Sequence, residues 1–284
     1  MKKLSYIIAT SFLIFGFASC DIIEEPYLKE NNESSEHLPL SAEDTLNWIN
    51  EKVVLLEDYT GVRCINCPLA AEEALEIQEQ NEHRVVVLGV HAGALSSVPP
   101  NGPFIDFTTE EGNAWYTYFQ FGSNPIGAVN RQSTGGTYAY QYSTWAGAVA
   151  EALDGEPNVR LLLAKDYNEE TRELRVSAYS KFLAEFSDTY SLTVCIMEDS
   201  IVGMQVTPQG NNPDYIHRHV FRTTMNGTWG TELNTEVIAP NEEIVKSYSI
   251  ILDEAYNADQ CYIIAYVSNS ETKEILQVVE KKIK

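Results

Sequence analysis

The sequence predicts an α/β domain over residues 47–156 followed by an all-β sandwich domain over 157–284, and three observations carry that prediction. Two nearly continuous apolar runs, KVVLLEDY (52–59) and RVVVLGVH (84–91), flank a segment with helical spacing. That is the pattern of two buried parallel strands joined by a crossover helix. Beyond Asn158, short alternating runs recur with turn residues between them. Near Glu156-Pro157 the composition passes from the first pattern to the second. The length after residue 46 exceeds one small core and suits two domains.

The chain opens with Lys2 and Lys3, an apolar run from Leu4 to Ala18, and small residues ahead of Cys20. Charged, apolar and small in that order predicts a secretory signal over residues 1–19. FASC (17–20) resembles a bacterial lipoprotein box, in which the cysteine thiol is acylated and becomes the new N-terminus. The resemblance implies lipidation at Cys20. No later apolar run approaches the roughly 20 residues of a spanning helix, so the expectation is a chain anchored to a membrane without crossing it. Residues 20–46 are acidic, polar and aperiodic. They are expected to form a tether, since they bury too little apolar surface to offset the entropy of ordering. Asp21, Glu24 and Glu25 resemble the surface-export signal of Bacteroidetes-type lipoproteins. The formal net charge of −22 argues against nucleic acid as a partner and against an electrostatic hold on anionic lipid.

In the first domain, Val53–Tyr59 reads as a buried strand, and TGVRCINCPLA (60–70) follows it with two cysteines two residues apart. Pro68 suits the first turn of a helix. Ala70, Ala74 and Ile77, with Ala71 and Leu75, mark an apolar helical face as far as Gln80. After the second strand comes a Pro- and Gly-rich loop over 92–107. Thr108 and Glu111 form a capping-box signature and predict a helix over 109–119. GSNPIGAVNR (122–131) places Pro125 before a short apolar run, and STWAGAVAEAL (143–153) reads as a closing helix. A CxxC can hold a metal, staple a turn or exchange electrons with another protein's disulfide. No second CxxC or Cys/His pair stands at ligand spacing, so no metal and no cofactor are expected.

Strand, CxxC at a helix start, strand, helix, X-Pro before a strand and a last helix together resemble thioredoxin. In that family an acid six residues before the first cysteine lies buried behind the pair, and Asp58 holds that position. Asn124-Pro125 matches the family's cis proline, which faces the cysteines. The departures are Arg63 in place of tryptophan, Ile65-Asn66 in place of Gly-Pro, and the inserted loop 92–107. A thiolate is the attacking species, and both the helix N-terminus and Arg63 favour it at Cys64. The expected roles are therefore Cys64 as attacker, Cys67 as resolving thiol and Asp58 as proton relay with a raised pKa. An oxidising compartment equally permits an inert staple.

The second domain holds seven strand candidates: VRLLLAKD, ELRVSAYS, YSLTVCIM, YIHRHVFR, IVKSYSII, CYIIAYVS and EILQVV. Their spacing points to an immunoglobulin-like sandwich. Cys195 and Cys261 lie in two of them, either bonded or buried as free thiols. YIHRHVFR (215–222), read as one strand, sets Tyr215, His217 and His219 on one face, as solvent or interdomain residues rather than metal ligands. Arg218 and Arg222 share the other, placed to meet acids of the first domain. The lipoprotein signal, LLEDYTGVRCINCPLA, NPIGAVNR and YIHRHVFR together resemble the 28-kilodalton outer-membrane protein (Omp) family of Bacteroidetes-type lipoproteins. That resemblance implies an outer-membrane location, facing periplasm or cell surface. The expected function is thiol-disulfide exchange on a disulfide-bearing protein. The alternative is a non-enzymatic surface binding protein or adhesin with a structural CxxC, using loops such as the tyrosine-rich TGGTYAYQY (134–142).

Overall fold

A computed structural model describes residues 33–42, Asp44 and 51–284 of the chain. The signal segment, Cys20 and most of the expected tether lie outside the described residues. The described chain is mostly β with few helices. Its first part runs β1 (Glu33–Ser34), β2 (Val54–Thr60), α1 (Cys67–Gln80), β3 (Val85–His91), α2 (Glu110–Tyr118), β4 (Ile126–Val129) and α3 (Trp145–Ala152). Next come β5 (Val159–Tyr167), β6 (Glu173–Phe182), β7 (Tyr190–Glu198), β8 (Ile201–Thr207), β9 (Gly210–His217) and β10 (Val220–Thr224). The chain closes with β11 (Thr231–Glu232), β12 (Glu243–Ile251), β13 (Cys261–Asn269) and β14 (Ile275–Lys282).

β2 and β3 are parallel and in register from Val54↔Val85 to Thr60↔His91, while β4 pairs antiparallel with β2. Alternation on β2 sends Val54 and Leu56 toward Ala70, Ala74 and Ile77 of α1. It sends Leu55 and Tyr59 to the opposite face, beside Trp115 and Phe119. The Asn124–Pro125 peptide bond is cis. The second helix is capped one residue later than the sequence pattern implies. Thr109, not Thr108, accepts the Gly112 N–H through its hydroxyl, at 2.9 Å, while Thr108 bonds to Asp106.

The largest sheet does not end with the α/β segment. Its order is β14-β13-β7-β10-β3-β2-β4, with β11 added beside β7. It therefore takes strands from both sides of residue 157. β10 supplies the join, lying parallel to β3 and antiparallel to β7. Gly89 makes this possible: its N–H donates to the His219 carbonyl at 2.7 Å, and a Cβ there would sit 3.2 Å from that oxygen. A second sheet, β1-β12-β6-β5, faces the β7–β13 end across a core that includes Leu161, Leu163, Val176, Leu192, Val194 and Ile263.

Two expectations change here, and an open alternative is decided. Residues 33–38 are not a free tether: Glu33 and Ser34 pair with β12, and the Leu38 N–H donates to the Ser177 hydroxyl. The edge of β12 supplies backbone partners that composition does not reveal. YIHRHVFR is not one strand, because His219 adopts φ 54° and divides it between β9 and β10. Cys195 and Cys261 form no disulfide: both are buried, on opposite faces of the sheet, opposite Ile264 and Glu198 in register.

Candidate functional site

Cys64 and Cys67 are joined in a disulfide, with Cα atoms 5.4 Å apart. The tight turn beneath them is set by backbone bonds: the Cys64 N–H donates to the Gly61 carbonyl and the Cys67 N–H to the Cys64 carbonyl. Helix α1 begins at Cys67, and Pro68 in its first turn loses no helical bond because first-turn N–H groups have no partner in any helix. Gly61 is needed here, since a Cβ would lie 2.6 Å from the Leu95 carbonyl carbon and oxygen. Loop 92–107 clasps this turn. The Arg63 N–H donates to Leu95 O, and the Ser96 hydroxyl donates to Thr60 O at 2.6 Å.

Asp58 lies on the α1 face of β2, the same face as Val54 and Leu56, and is 4% exposed. Its Oδ1 has no hydrogen-bond partner among the described residues. Burial pushes its pKa up to about 7. Asp58 and Cys67 share the wall of a cavity of about 30 Å³ with Pro68, His91, Gln205, Tyr215 and His217. That space admits a water molecule, and its wall carries several polar groups able to bond one. Pro125 is buried one residue before Ile126, the partner of Tyr59, and so sits level with the end of β2 from which the CxxC turn departs. Arg63 is exposed, and its guanidinium donates to the Ala94 carbonyl in the clasping loop. Cys64, Cys67, Asp58 and Pro125 thus gather at one end of β2, with Arg63 on the rim.

The spacing argument missed the contribution from residues 201–217. The β8–β9 hairpin pairs with neither large sheet and lies over the CxxC turn. The Gln205 amide donates to the Cys64 carbonyl at 3.0 Å and the Gly61 carbonyl at 3.2 Å, and the Val206 N–H donates to Val62 O at 2.9 Å. Under this cover Cys64 is 1% and Cys67 2% exposed. The hairpin also brings His217 against His91 and Phe107, with ring centroids 5.9 and 4.9 Å away. Burial pushes His217 down to about 4 and His91 well below the ordinary range, the latter helped by His217 and Arg222. Burial, then the neighbouring Asp58, pushes Tyr215 up to about 12. The two histidines of YIHRHVFR do not face one another as a pair: the His219 ring meets Gln78 instead, at 3.0 Å. Arg218 and Arg222 pair with Asp199 and Glu198, acids of their own segment and not of the first. The tyrosines of TGGTYAYQY are half-buried against the first segment's cores.

The arrangement resembles HBP35 of Porphyromonas gingivalis, with a TM-score of 0.64 over 84% of this chain and 77% of that one at 16% identity. A protein from Agrobacterium tumefaciens aligns at 12% identity and TM-score 0.48, over 83% of this chain and 97% of its own. A domain of the outer membrane lipoprotein Omp28 from Porphyromonas gingivalis aligns at 19% identity and TM-score 0.31, over 45% of this chain and 89% of that domain. None of the curated proteins matches the sequence. The sequence profile described as outer membrane protein Omp28 matches residues 112–284, more than half of the chain, including β8, β9 and every later strand, and on that match the chain belongs to the Omp28 family.

Proposed function

We propose that this Omp28-family protein is an outer-membrane lipoprotein that carries out thiol-disulfide exchange at Cys64 and Cys67, on a thioredoxin-like domain packed against an immunoglobulin-like one. The observation that carries the reading is the placement on one small cavity of Cys67 and the buried Asp58, whose Oδ1 has no hydrogen-bond partner among the described residues. In the disulfide form, a partner's thiolate attacks the Cys64 sulfur and the Cys64–Cys67 bond breaks. Cys67 leaves as a thiolate and takes a proton from Asp58, whose pKa near 7 suits the transfer. A second thiol of the partner then attacks its own sulfur in the mixed disulfide and releases Cys64. The partner dithiol loses two electrons and the CxxC gains them; the same steps reversed reduce a partner disulfide.

The test is reduction of insulin by the dithiol form of the chain, coupled to excess dithiothreitol. Wild type should exceed Cys64→Ser by at least tenfold, and equal rates in the two would defeat the proposal. A second reading, a surface binding protein or adhesin with the CxxC as a staple, is favoured by the near-complete burial of both cysteines. A reduction potential below about −300 mV would support the staple, and one nearer −200 mV the exchange. The charged and apolar segment ahead of it and the lipobox-like FASC support an anchor at Cys20. Cells fed an alkyne-tagged fatty acid should label wild type, and a Cys20→Ala chain that stayed labelled would remove the anchor from this account.

A further inference from the structure

We propose that the β8–β9 hairpin is a lid over the Cys64–Cys67 disulfide, latched by the Gln205 side chain, and that it lifts before a thiolate reaches the Cys64 sulfur. The inference rests on the exchange reading for what the opening serves, while its geometry stands apart from it.

Three features make the hairpin a separate moving part. Its strands pair only with each other, from Ile201↔His217 to Thr207↔Gly210. Both its ends are sharp joints: Ser200 and His219 adopt φ 60° and 54°, so the chain leaves and re-enters the sheet through left-handed residues. Its outer face is solvent-exposed and apolar, with the cross-strand pair Val202 and Ile216 58% and 47% exposed. A hairpin joined to the surrounding sheets by no strand pairing leaves its backbone edges exposed, one mark of the low-stability end of a fold.

At its base the hairpin packs through His217 on His91 and Phe107 and through Ile201 on Val62 and Val220, while its hold on the CxxC turn is polar. Gln205 is buried beneath it and donates to the carbonyls of Gly61 and Cys64, and Val206 adds one backbone bond to Val62. Beyond these bonds the tip does not pack closely on α1; a groove of about 510 Å³ separates Leu69 and Glu72 from Pro208 and Asn212. The latch therefore grips the turn that carries Cys64, and a thiolate attacking that sulfur needs a path the closed hairpin denies.

The test measures the second-order rate of disulfide reduction by dithiothreitol in the full oxidised chain, which requires no natural partner. Gln205→Ala and the isosteric Gln205→Glu should each react about tenfold faster than wild type, the factor expected for losing two ordinary hydrogen bonds. Val202→Ala, altered on the outer face, should match wild type. The reduction potential should be unchanged, because a latch alters access and not the equilibrium. Hydrogen exchange should quicken across 201–217 and not across α1. Equal rates in all four proteins would overturn the lid, as would a gain accompanied by equal loosening of α1. If the Gln205 variants do not fold, wild type decides alone: exchange in 201–217 no faster than in β7 refutes a moving hairpin, and faster exchange there supports it. A chain inactive on insulin yet sensitive to Gln205 with dithiothreitol would keep the lid and discard the exchange reading. An active chain insensitive to Gln205 would do the reverse.

Discussion

Asp58 is a buried carboxyl group that forms no ion pair among the described residues. Its folded-state pKa of about 7 stands well above the ordinary 3.8. Between those pH values the folded chain keeps a proton that the unfolded chain has released, so this residue makes stability fall as pH rises from about 4 to about 7, with the full loss above that. Asp58→Asn removes the effect. The substitution should raise unfolding free energy at pH 8 by about 2–4 kcal/mol and change it little at pH 4, as read by urea denaturation. Equal differences at the two pH values would contradict a neutral buried carboxyl. His217 has the opposite slope: its pKa is lowered to about 4, so its contribution is lost as pH falls from about 6.5 toward 4. The position of Asp58 was legible, since alternation on a strand assigns it to the helix-covered face. Its company was not, because His91, Tyr215 and Gln205 arrive from distant parts of the chain.

At the scale of elements, strands and helices with strong local signals form where the residues place them. VVLLEDY and RVVVLGVH are nearly continuous apolar runs because both faces of β2 and β3 are covered, by α1 and α3 on one side and α2 on the other. The helix after the CxxC keeps its small apolar face of Ala70, Ala74 and Ile77 against β2 and β3. Six of the seven strand candidates beyond residue 157 are strands. The exception is the informative one. YIHRHVFR has the alternation of a strand, yet a left-handed residue in its middle turns half of it into the lid and half into the central sheet. Histidine is among the residues enriched in that conformation, but few histidines adopt it, so its presence alone does not mark a break. A signal did exist in Gly89, since a glycine inside a strand often marks the close approach of another backbone, here that of His219.

Across the whole molecule, the two segments share a sheet, and a buried ion pair of the first segment reaches the second through Tyr266. Arg131, after β4, donates to both carboxylate oxygens of Glu57 on β2 at 2.6 and 2.9 Å, and to the Tyr266 hydroxyl on β13 at 3.0 Å. Its guanidinium also lies 4.9 Å from the Trp115 ring centroid. Arg131 and Glu57 are 1% and 0% exposed, so breaking the pair leaves an uncompensated charge in the core. Arg131→Met should cost about 3–5 kcal/mol in urea denaturation, and adding Glu57→Gln should restore part of it. A cost below about 1 kcal/mol would contradict an uncompensated buried charge at Glu57. The sequence by itself determined the strand–helix–strand unit, the CxxC at a helix start, the acid behind it and most later strands, because periodicity and spacing act over a few residues. Only the tertiary structure decided that β10 completes the first segment's sheet, that residues 33–38 lie along β12, and that a hairpin from residues 201–217 closes over the cysteines. Each of those depends on which unpaired backbone edge and which buried polar group another part of the chain meets, and no local pattern encodes that meeting.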